Sequence, residues 1–296
     1  MVRTVVTGLD GSAESRAAAE WAAREADLRG LPLTLLHVGE TVPELLAQAP
    51  LLGAETAQYW SETIPRDAAE DLRLRHPGLE IVEEQRRGGP AEILLEEAAD
   101  AELLALGSRG LSGVGGFLVG SVGLAVVAHA ERPVVLVRAD EHRTEDAVMP
   151  SDAARHRPVV LGLDVAGPDD SLIEFAFDAA ARRSTALRVV YGWNLPPYYT
   201  YGLSADLDLH DEITRGQATA LAAALAPWLE KYPAVEVLGE PRCGNAANHL
   251  VDASREASLV VLGRRIRRSP LGAHIGPVTH AVLHHASAPV AVVAHA

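Results

Sequence analysis

Four residues in the first half of the chain have the types and the spacing of a phosphate-binding loop. Gly107 and Gly110 follow an apolar run at residues 103–106, and Gly120 and Ser121 precede a helical pattern of alanine and valine. Glycines let backbone N–H groups turn toward an anion, and a helix start offers unpaired donors and the positive end of a dipole. The segment therefore predicts nucleotide binding, with a tight glycine-rich turn of no binding role as the alternative.

The spacing of these residues, G-x2-G-x9-G-[S/T], resembles the signature of ATP-binding universal stress proteins, and the chain is similar to that family over nearly its full length. No Walker-type G-x4-G-K-[S/T] loop occurs, and Lys231 is the only lysine. The resemblance implies ATP as the ligand. The residues that it assigns to ATP are Asp10, Val38, Gly107, Arg109, Gly110, Gly120, Ser121 and Val122.

Three of these assignments have structural alternatives. The resemblance gives Asp10, at the end of the first strand, a contact with the adenosine end, whereas an Asp there could instead cap the following helix. It gives Val38 a backbone contact with adenine, whereas an apolar residue ending the second strand needs no ligand to explain it. Arg109 could reach a phosphate or be solvated in its loop.

Composition and charge limit the classes of function. The chain has 296 residues, 48% hydrophobic content and a net charge of −14, which predicts two domains and argues against nucleic acid or an anionic membrane as partner. No apolar run approaches the roughly 18 residues needed to cross a bilayer, so we expect a cytoplasmic protein. Residues 1–150 carry 13 Arg against 25 Asp and Glu, and this acidity favours Mg²⁺ as a cation that bridges the phosphates.

An internal repeat divides the chain. The motif V-V-T-G-L-D at residues 5–10 returns as V-V-L-G-L-D at 159–164, and L-L-A-L-G at 103–107 returns as L-V-V-L-G at 259–263. We predict one domain at residues 1–140, a charged linker at 141–157 and a second domain at 158–296.

Short apolar runs alternate with amphipathic segments in each half, which predicts an α/β fold with a parallel sheet covered by helices. The predicted strands are residues 4–9, 33–38, 80–86, 103–106, 134–137, 159–163, 187–191, 235–241, 259–262 and 290–293. The predicted helices are residues 12–29, 56–76, 91–100, 121–129, 169–183, 208–232, 246–256 and 277–285. The resemblance implies two doubly wound, five-stranded domains in tandem, of the adenine nucleotide α-hydrolase-like type with strand order 3-2-1-4-5.

The second half keeps only part of the glycine motif. Ile266 replaces a glycine with a β-branched residue that resists positive φ, and Pro277 replaces the serine and removes an N–H group. We therefore predict weak or no ATP binding there, although Pro277 suits the first position of a helix. Four arginines in this loop either bind a phosphate or an acidic partner, or are solvated: Arg264, Arg265, Arg267 and Arg268.

The resemblance implies a regulatory protein of the stress response, in which ATP occupancy sets conformation or association. No general base, nucleophile or metal constellation is visible in the sequence, so we predict no efficient enzyme. The alternatives are a slow ATPase or nucleotidyl-transfer enzyme on the same fold, and a nucleotide-free interaction module. The resemblance also implies a dimer, or an intramolecular pseudo-dimer of the two domains.

Overall fold

Strands and helices alternate along both halves of the chain, as the repeat predicts. The structure, a computed structural model, describes residues 3–39, 54–108, 120–139, 157–194, 207–266 and 275–296. The described residues divide into two compact units, one in each half of the repeat. All but the last residue of the predicted linker, 141–157, lies outside the described residues.

The first domain is built from parallel strands joined by helices. Its strands are β1 (Val5–Leu9), β2 (Leu33–Gly39), β3 (Ile81–Arg87), β4 (Leu103–Ser108) and β5 (Val134–Arg138), and its helices are α1 (Ala13–Arg29), α2 (Ala54–Arg75), α3 (Pro90–Asp100) and α4 (Ser121–His129). The strands pair in the order β3-β2-β1-β4-β5, all parallel. This confirms the predicted doubly wound order.

The second domain repeats this arrangement within itself. Its strands are β6 (Val159–Gly162), β7 (Leu187–Trp193), β8 (Val237–Cys243), β9 (Leu259–Arg265) and β10 (Val290–His295), and its helices are α5 (Asp170–Arg182), α6 (Leu207–Lys231), α7 (Ala246–Ser254) and α8 (Pro277–His285). The pairing order is β8-β7-β6-β9-β10, again all parallel. The tandem α/β fold is therefore confirmed.

The predicted boundaries differ from the observed ones by a few residues, with local causes. β8 begins at Val237 rather than residue 235, because the Val235 N–H donates to Tyr232 O in the turn after α6. α7 ends at Ser254 rather than residue 256, since the following N–H groups bond to carbonyls three residues earlier. β9 continues to Arg265, three residues beyond the predicted end at residue 262, so Arg264 and Arg265 belong to a strand rather than to a loop.

Small residues let the helices of the first domain approach the sheet closely. α1 buries alanines at every turn, among them Ala18, Ala22 and Ala26, each with no exposed surface. α1 packs with α2, and α3 packs with α4, which covers the sheet on its two faces. A Cβ at Gly8 would lie 2.9 Å from Leu106 and 3.1 Å from Leu94 of α3, so this face of β1 faces α3.

Arg29 in the last turn of α1 forms a buried ion pair within the helix and a second ion pair with Glu102, the residue before β4. Arg29 Nε donates to Glu25 Oε1 at 2.7 Å, and their side chains are 4% and 1% exposed. Arg29 Nη1 also donates to Glu102 Oε1 at 3.4 Å, and the Glu102 N–H donates to the carbonyl of Thr4, the residue before β1. The pair therefore fixes the end of α1 against two neighbouring strands.

We expect the Glu25→Gln variant to lose about 3 kcal/mol of the free energy of unfolding, because Arg29 keeps its buried charge with less compensation. Urea denaturation measures the loss. Arg3→Gln is the matched control, since Arg3 pairs with the same Glu102 at 3.1 Å but is half exposed, and its loss should stay below about 1 kcal/mol. Equal losses in the two variants would contradict the assigned role of the buried pair.

Candidate functional site

The candidate site lies where the winding of the first sheet reverses. β1 pairs with β2 on one side and with β4 on the other, so the connections after β1 and after β4 leave the sheet in different directions. In open parallel sheets a crevice forms outside the carboxyl ends of the two strands at such a point. The predicted site residues at the ends of β1, β2 and β4 therefore share this edge.

The turn between β1 and α1 is organised by Asp10. Its Oδ1 accepts hydrogen bonds from the Ser12 N–H at 3.0 Å and from the Ser12 hydroxyl at 2.5 Å. Ser12 is the N-cap of α1, and its Oγ accepts from the Ser15 N–H at 3.1 Å. Gly11 between them has φ +82°, a conformation that favours glycine. The cap is thus Ser12, and Asp10, which is exposed, supports it through one carboxylate oxygen.

Gly107 lies against the first turn of α1. A Cβ at this position would stand 2.6 Å from the backbone carbon of Glu14 and 2.6 Å from the backbone nitrogen of Ser15. No side chain fits there without moving the helix. This glycine is therefore required by packing, whatever its N–H group binds.

The start of α4 presents Gly120, Ser121 and Val122 together. Gly120 is the N-cap with φ −59° and ψ 155°, no side chain caps the helix, and the Gly120 carbonyl accepts from the Leu124 N–H at 3.0 Å. A Cβ at Gly120 would meet no atom of the described residues within 4 Å. Ser121 is exposed and Val122 is half-buried. The first N–H groups of a helix have no acceptor within it, so this turn can receive an anion.

Of the three remaining predicted site residues, the structure describes Val38 but neither Arg109 nor Gly110. Val38 lies in β2, half-buried, one residue before the strand ends at Gly39. Arg109 and Gly110 lie outside the described residues. The structure therefore brings the ends of β1, β2 and β4 to one edge, and it leaves the predicted loop contacts of Arg109 and Gly110 as predictions.

Two residues at this edge escaped the sequence analysis. The His37 Nδ1 atom lies 2.8 Å from Leu9 O, and because a carbonyl only accepts, Nδ1 donates and joins the ends of β2 and β1. Ser108, the last residue of β4, is 2% exposed, and its hydroxyl has no hydrogen-bond partner among the described residues. The only signal in the sequence was that each is a polar residue next to a predicted site residue, His37 before Val38 and Ser108 after Gly107.

The matching edge of the second domain has a similar backbone and different chemistry. Gly276 has φ −59° and ψ 153°, close to Gly120, and Pro277 is the first residue of α8, as predicted. The Thr279 hydroxyl donates to Gly263 O at 3.0 Å. A Cβ at Gly263 would lie 2.7 Å from the imidazole of His295. The side chains of Thr279 and His295 therefore lie against Gly263, the first glycine of the motif in this domain.

We predicted that the four arginines of this motif belong to one loop, and for two of them this is wrong. Arg264 and Arg265 are the last residues of β9, and Arg264 is only 5% exposed, so its side chain packs inside the domain. Arg265 is exposed. Arg267 and Arg268 lie outside the described residues.

An acidic residue, Asp164, also follows the first strand of the second domain, two residues after β6 ends. Asp164 Oδ1 accepts from the Ala166 N–H at 3.0 Å, which parallels the turn at Asp10. Burial raises the pKa of the Tyr191 phenol, and the negative charge of Asp164 raises it further. Tyr191 and Asp164 are therefore close at this edge, and both turns use a strand-end carboxylate to hold the backbone.

Two kinds of feature are absent from the described residues, a cluster of metal ligands and a membrane-spanning helix. No group of three or more His, Cys, Asp or Glu residues within the described ranges could hold a metal ion. No helix in the described part of the chain is both long and apolar enough to span a bilayer.

Comparisons with known proteins agree on one family. A sequence model of the Universal stress protein family matches residues 1–138 and 156–294. Universal stress protein Rv2005c of Mycobacterium tuberculosis is 33% identical over 301 residues, covering 97% of this chain and 96% of the relative. A universal stress protein of Mycolicibacterium smegmatis is 31% identical over 299 residues, covering 98% and 96%.

A solved structure matches both domains. The crystal structure of a universal stress protein from Archaeoglobus fulgidus DSM 4304 covers 99% of this chain and 98% of its own, with a TM-score of 0.69 and 18% identity. At this identity the match concerns the fold. The tandem α/β architecture is thus shared with a solved protein of two such domains.

The two glycines of the motif should respond differently to a methyl group. Gly107→Ala should lower the free energy of unfolding by about 2–3 kcal/mol, because the methyl group collides with the backbone of α1. Gly120→Ala should cost about 1 kcal/mol or less, since no described atom lies within 4 Å of the added methyl group and only N-cap preference changes. Urea denaturation of both variants measures the difference. A loss at Gly120 as large as that at Gly107 would contradict the open space around Gly120.

Proposed function

Because the chain belongs to the universal stress protein family, we propose that its first domain binds ATP and that nucleotide occupancy regulates the protein in the stress response. The observation that carries the proposal is the start of α4. It combines an N-cap without a side chain, space around that residue that no described atom fills, and an exposed serine. This is the combination that a phosphate needs at a helix N-terminus.

The proposal gives each site residue one part of the ligand. Asp10 and Val38, at the ends of β1 and β2, take the adenosine end, with the backbone of Val38 at the adenine. The turn at Asp10 supports this, because it is held rigidly and leaves the carboxylate exposed. The phosphates are assigned to the remaining residues of the motif: Gly107, Arg109, Gly110, Gly120, Ser121 and Val122.

Gly107 has a second duty in this proposal. Its contact with α1 brings the turn of Asp10 close to the end of β4, so that one ligand can reach both. A side chain there would separate the two parts of the site. The packing role and the binding role of Gly107 are therefore compatible.

The second domain is proposed as a partner domain that binds ATP weakly or not at all. Pro277 lacks the N–H and the hydroxyl that Ser121 offers in the first domain. The Thr279 hydroxyl already donates to Gly263 O, and His295 lies beside Gly263. In these terms residues 1–140 form the nucleotide-binding domain and residues 158–296 the degenerate one.

Mg²⁺ belongs to the proposal as a companion of the phosphates. It keeps several water ligands and binds nucleotides mainly through phosphate oxygens, so few protein ligands are needed. The acidic first half, with 25 Asp and Glu against 13 Arg, favours a cation that offsets the charge of ATP. We propose a switch with at most slow hydrolysis; a cytoplasmic location and a dimer stay predictions.

The test is the adenine nucleotide content of the purified protein. The protein is denatured, the precipitate is removed, and nucleotides in the supernatant are quantified by chromatography. We expect about one ATP per chain in the parent, as for one intact anion site. Gly120→Val should carry none, because the side chain enters the phosphate space.

Gly276→Val is the matched control, since Gly276 has nearly the same backbone torsion angles as Gly120 and, like Gly120, no described atom within 4 Å of its Cβ position. It should keep the nucleotide content of the parent. About two nucleotides per parent chain would contradict the degenerate second site. No nucleotide, together with no rise in thermal stability on adding ATP, would contradict ATP binding altogether and favour the interaction module.

A further inference from the structure

Ser108 is a buried polar residue whose hydroxyl has no partner among the residues that the structure describes. Ser108 is only 2% exposed, and its Oγ makes no hydrogen bond within the described part of the chain. A buried hydroxyl without a partner costs free energy, and nearly all buried polar groups in native proteins are paired. A partner from outside the chain would remove this cost.

The position of Ser108 indicates where that partner would lie. A Cβ at Gly107 would point toward α1. Because successive residues of a strand face opposite sides of the sheet, the side chain of Ser108 points to the other face. Leu106, two residues before Ser108, shares that face with Leu94 of α3. α4 packs on α3 and contacts β4 and β5, and it starts at the edge where Ser108 ends β4. The hydroxyl therefore lies on the face of the sheet that α4 covers.

A cation stands beside Ser108 on the neighbouring strand. Ser108 and Arg138 are direct register partners in β4 and β5, so their side chains share one face of the sheet. Burial lowers the pKa of the Arg138 guanidinium to about 10, so it remains charged at neutral pH with reduced hydration. A poorly hydrated guanidinium next to a hydroxyl is a favourable environment for a phosphate.

The second domain has an arginine in place of the serine and an alanine in place of the arginine. Ser108 corresponds to Arg264 and Arg138 corresponds to Ala294, at the offset of 156 residues that relates β4 to β9. Arg264 and Ala294 are register partners in β9 and β10, and Arg264 is 5% exposed. Each domain thus places one guanidinium in this pair of positions, but only the first domain leaves the hydroxyl beside it.

We propose that Ser108 and Arg138 form a phosphate subsite of the first domain, in which the Ser108 hydroxyl donates to a phosphate oxygen and Arg138 supplies positive charge. The subsite rests on the nucleotide binding proposed above. It makes the site selective for nucleoside phosphates over nucleosides. In the second domain, the guanidinium of Arg264 occupies the position of the hydroxyl and excludes the phosphate.

The test compares ligand affinity with the stability of the ligand-free protein. Calorimetry measures the Kd of ATP, ADP and adenosine for nucleotide-stripped parent and Ser108→Ala protein. We expect Ser108→Ala to bind ATP and ADP about tenfold more weakly, as for a lost hydrogen bond to a charged group, with adenosine unchanged. Its melting temperature without ligand should stay the same or rise, because an unpaired buried hydroxyl is removed.

Thr7→Val is the matched control. The Thr7 side chain is fully buried in β1, and its hydroxyl donates to Ala105 O at 3.1 Å. This variant should melt at a lower temperature without ligand and bind ATP with the affinity of the parent. Arg138→Gln should weaken ATP binding, and the double variant with Ser108→Ala should lose less than the product of the two single losses, since both residues contact one phosphate.

The outcomes separate this inference from the proposed function. A parent protein that binds neither ATP nor ADP overturns the proposed function and the subsite with it. A parent that binds ATP while Ser108→Ala binds it equally well overturns the subsite alone. A lower melting temperature of ligand-free Ser108→Ala with unchanged affinity overturns it as well, because the hydroxyl would then serve the fold.

Discussion

The close approach of α1 to β4 at Gly107 is the contact on which the candidate site depends. The backbone of Glu14 and Ser15 occupies the space of a missing side chain, so the first turn of α1 is pressed onto the end of β4. Asp10 and Ser12 begin that same turn and are fixed with it. One glycine thus joins two segments that are about 95 residues apart in the sequence and that only parallel pairing makes neighbours.

The two domains place different residues on nearly the same backbone at the start of the helix that follows the glycine motif. Gly120 and Gly276 have nearly identical torsion angles, and both precede a helix of nine residues. The fold therefore tolerates Ser or Pro at the next position, because a helix needs no N–H group there. An anion does need that N–H group, so the same change that leaves α8 intact removes a donor from its N-terminus.

The strand ends carry a second difference between the domains, in the placement of one positive charge. In the first domain Arg138 of β5 is the cation, and in the second domain Arg264 of β9 takes the neighbouring place. A guanidinium is costly to bury and needs compensation wherever it lies. In both domains one position of this register pair carries the guanidinium. The other position carries a small residue, Ser108 in β4 of the first domain and Ala294 in β10 of the second.

The sequence by itself determined the tandem repeat and the type and approximate bounds of the strands and helices. It also contained the motif at Gly107, Gly120 and Ser121. Periodicity and glycine spacing are local properties of the chain, so they can be read without the fold. Only the tertiary structure decided which groups already have partners. It showed that Ser12 rather than Asp10 caps α1, that Arg264 is buried in a strand, and that Ser108 lacks a partner within the described residues. Such pairing depends on register and on helix packing between distant segments, and no local pattern encodes it.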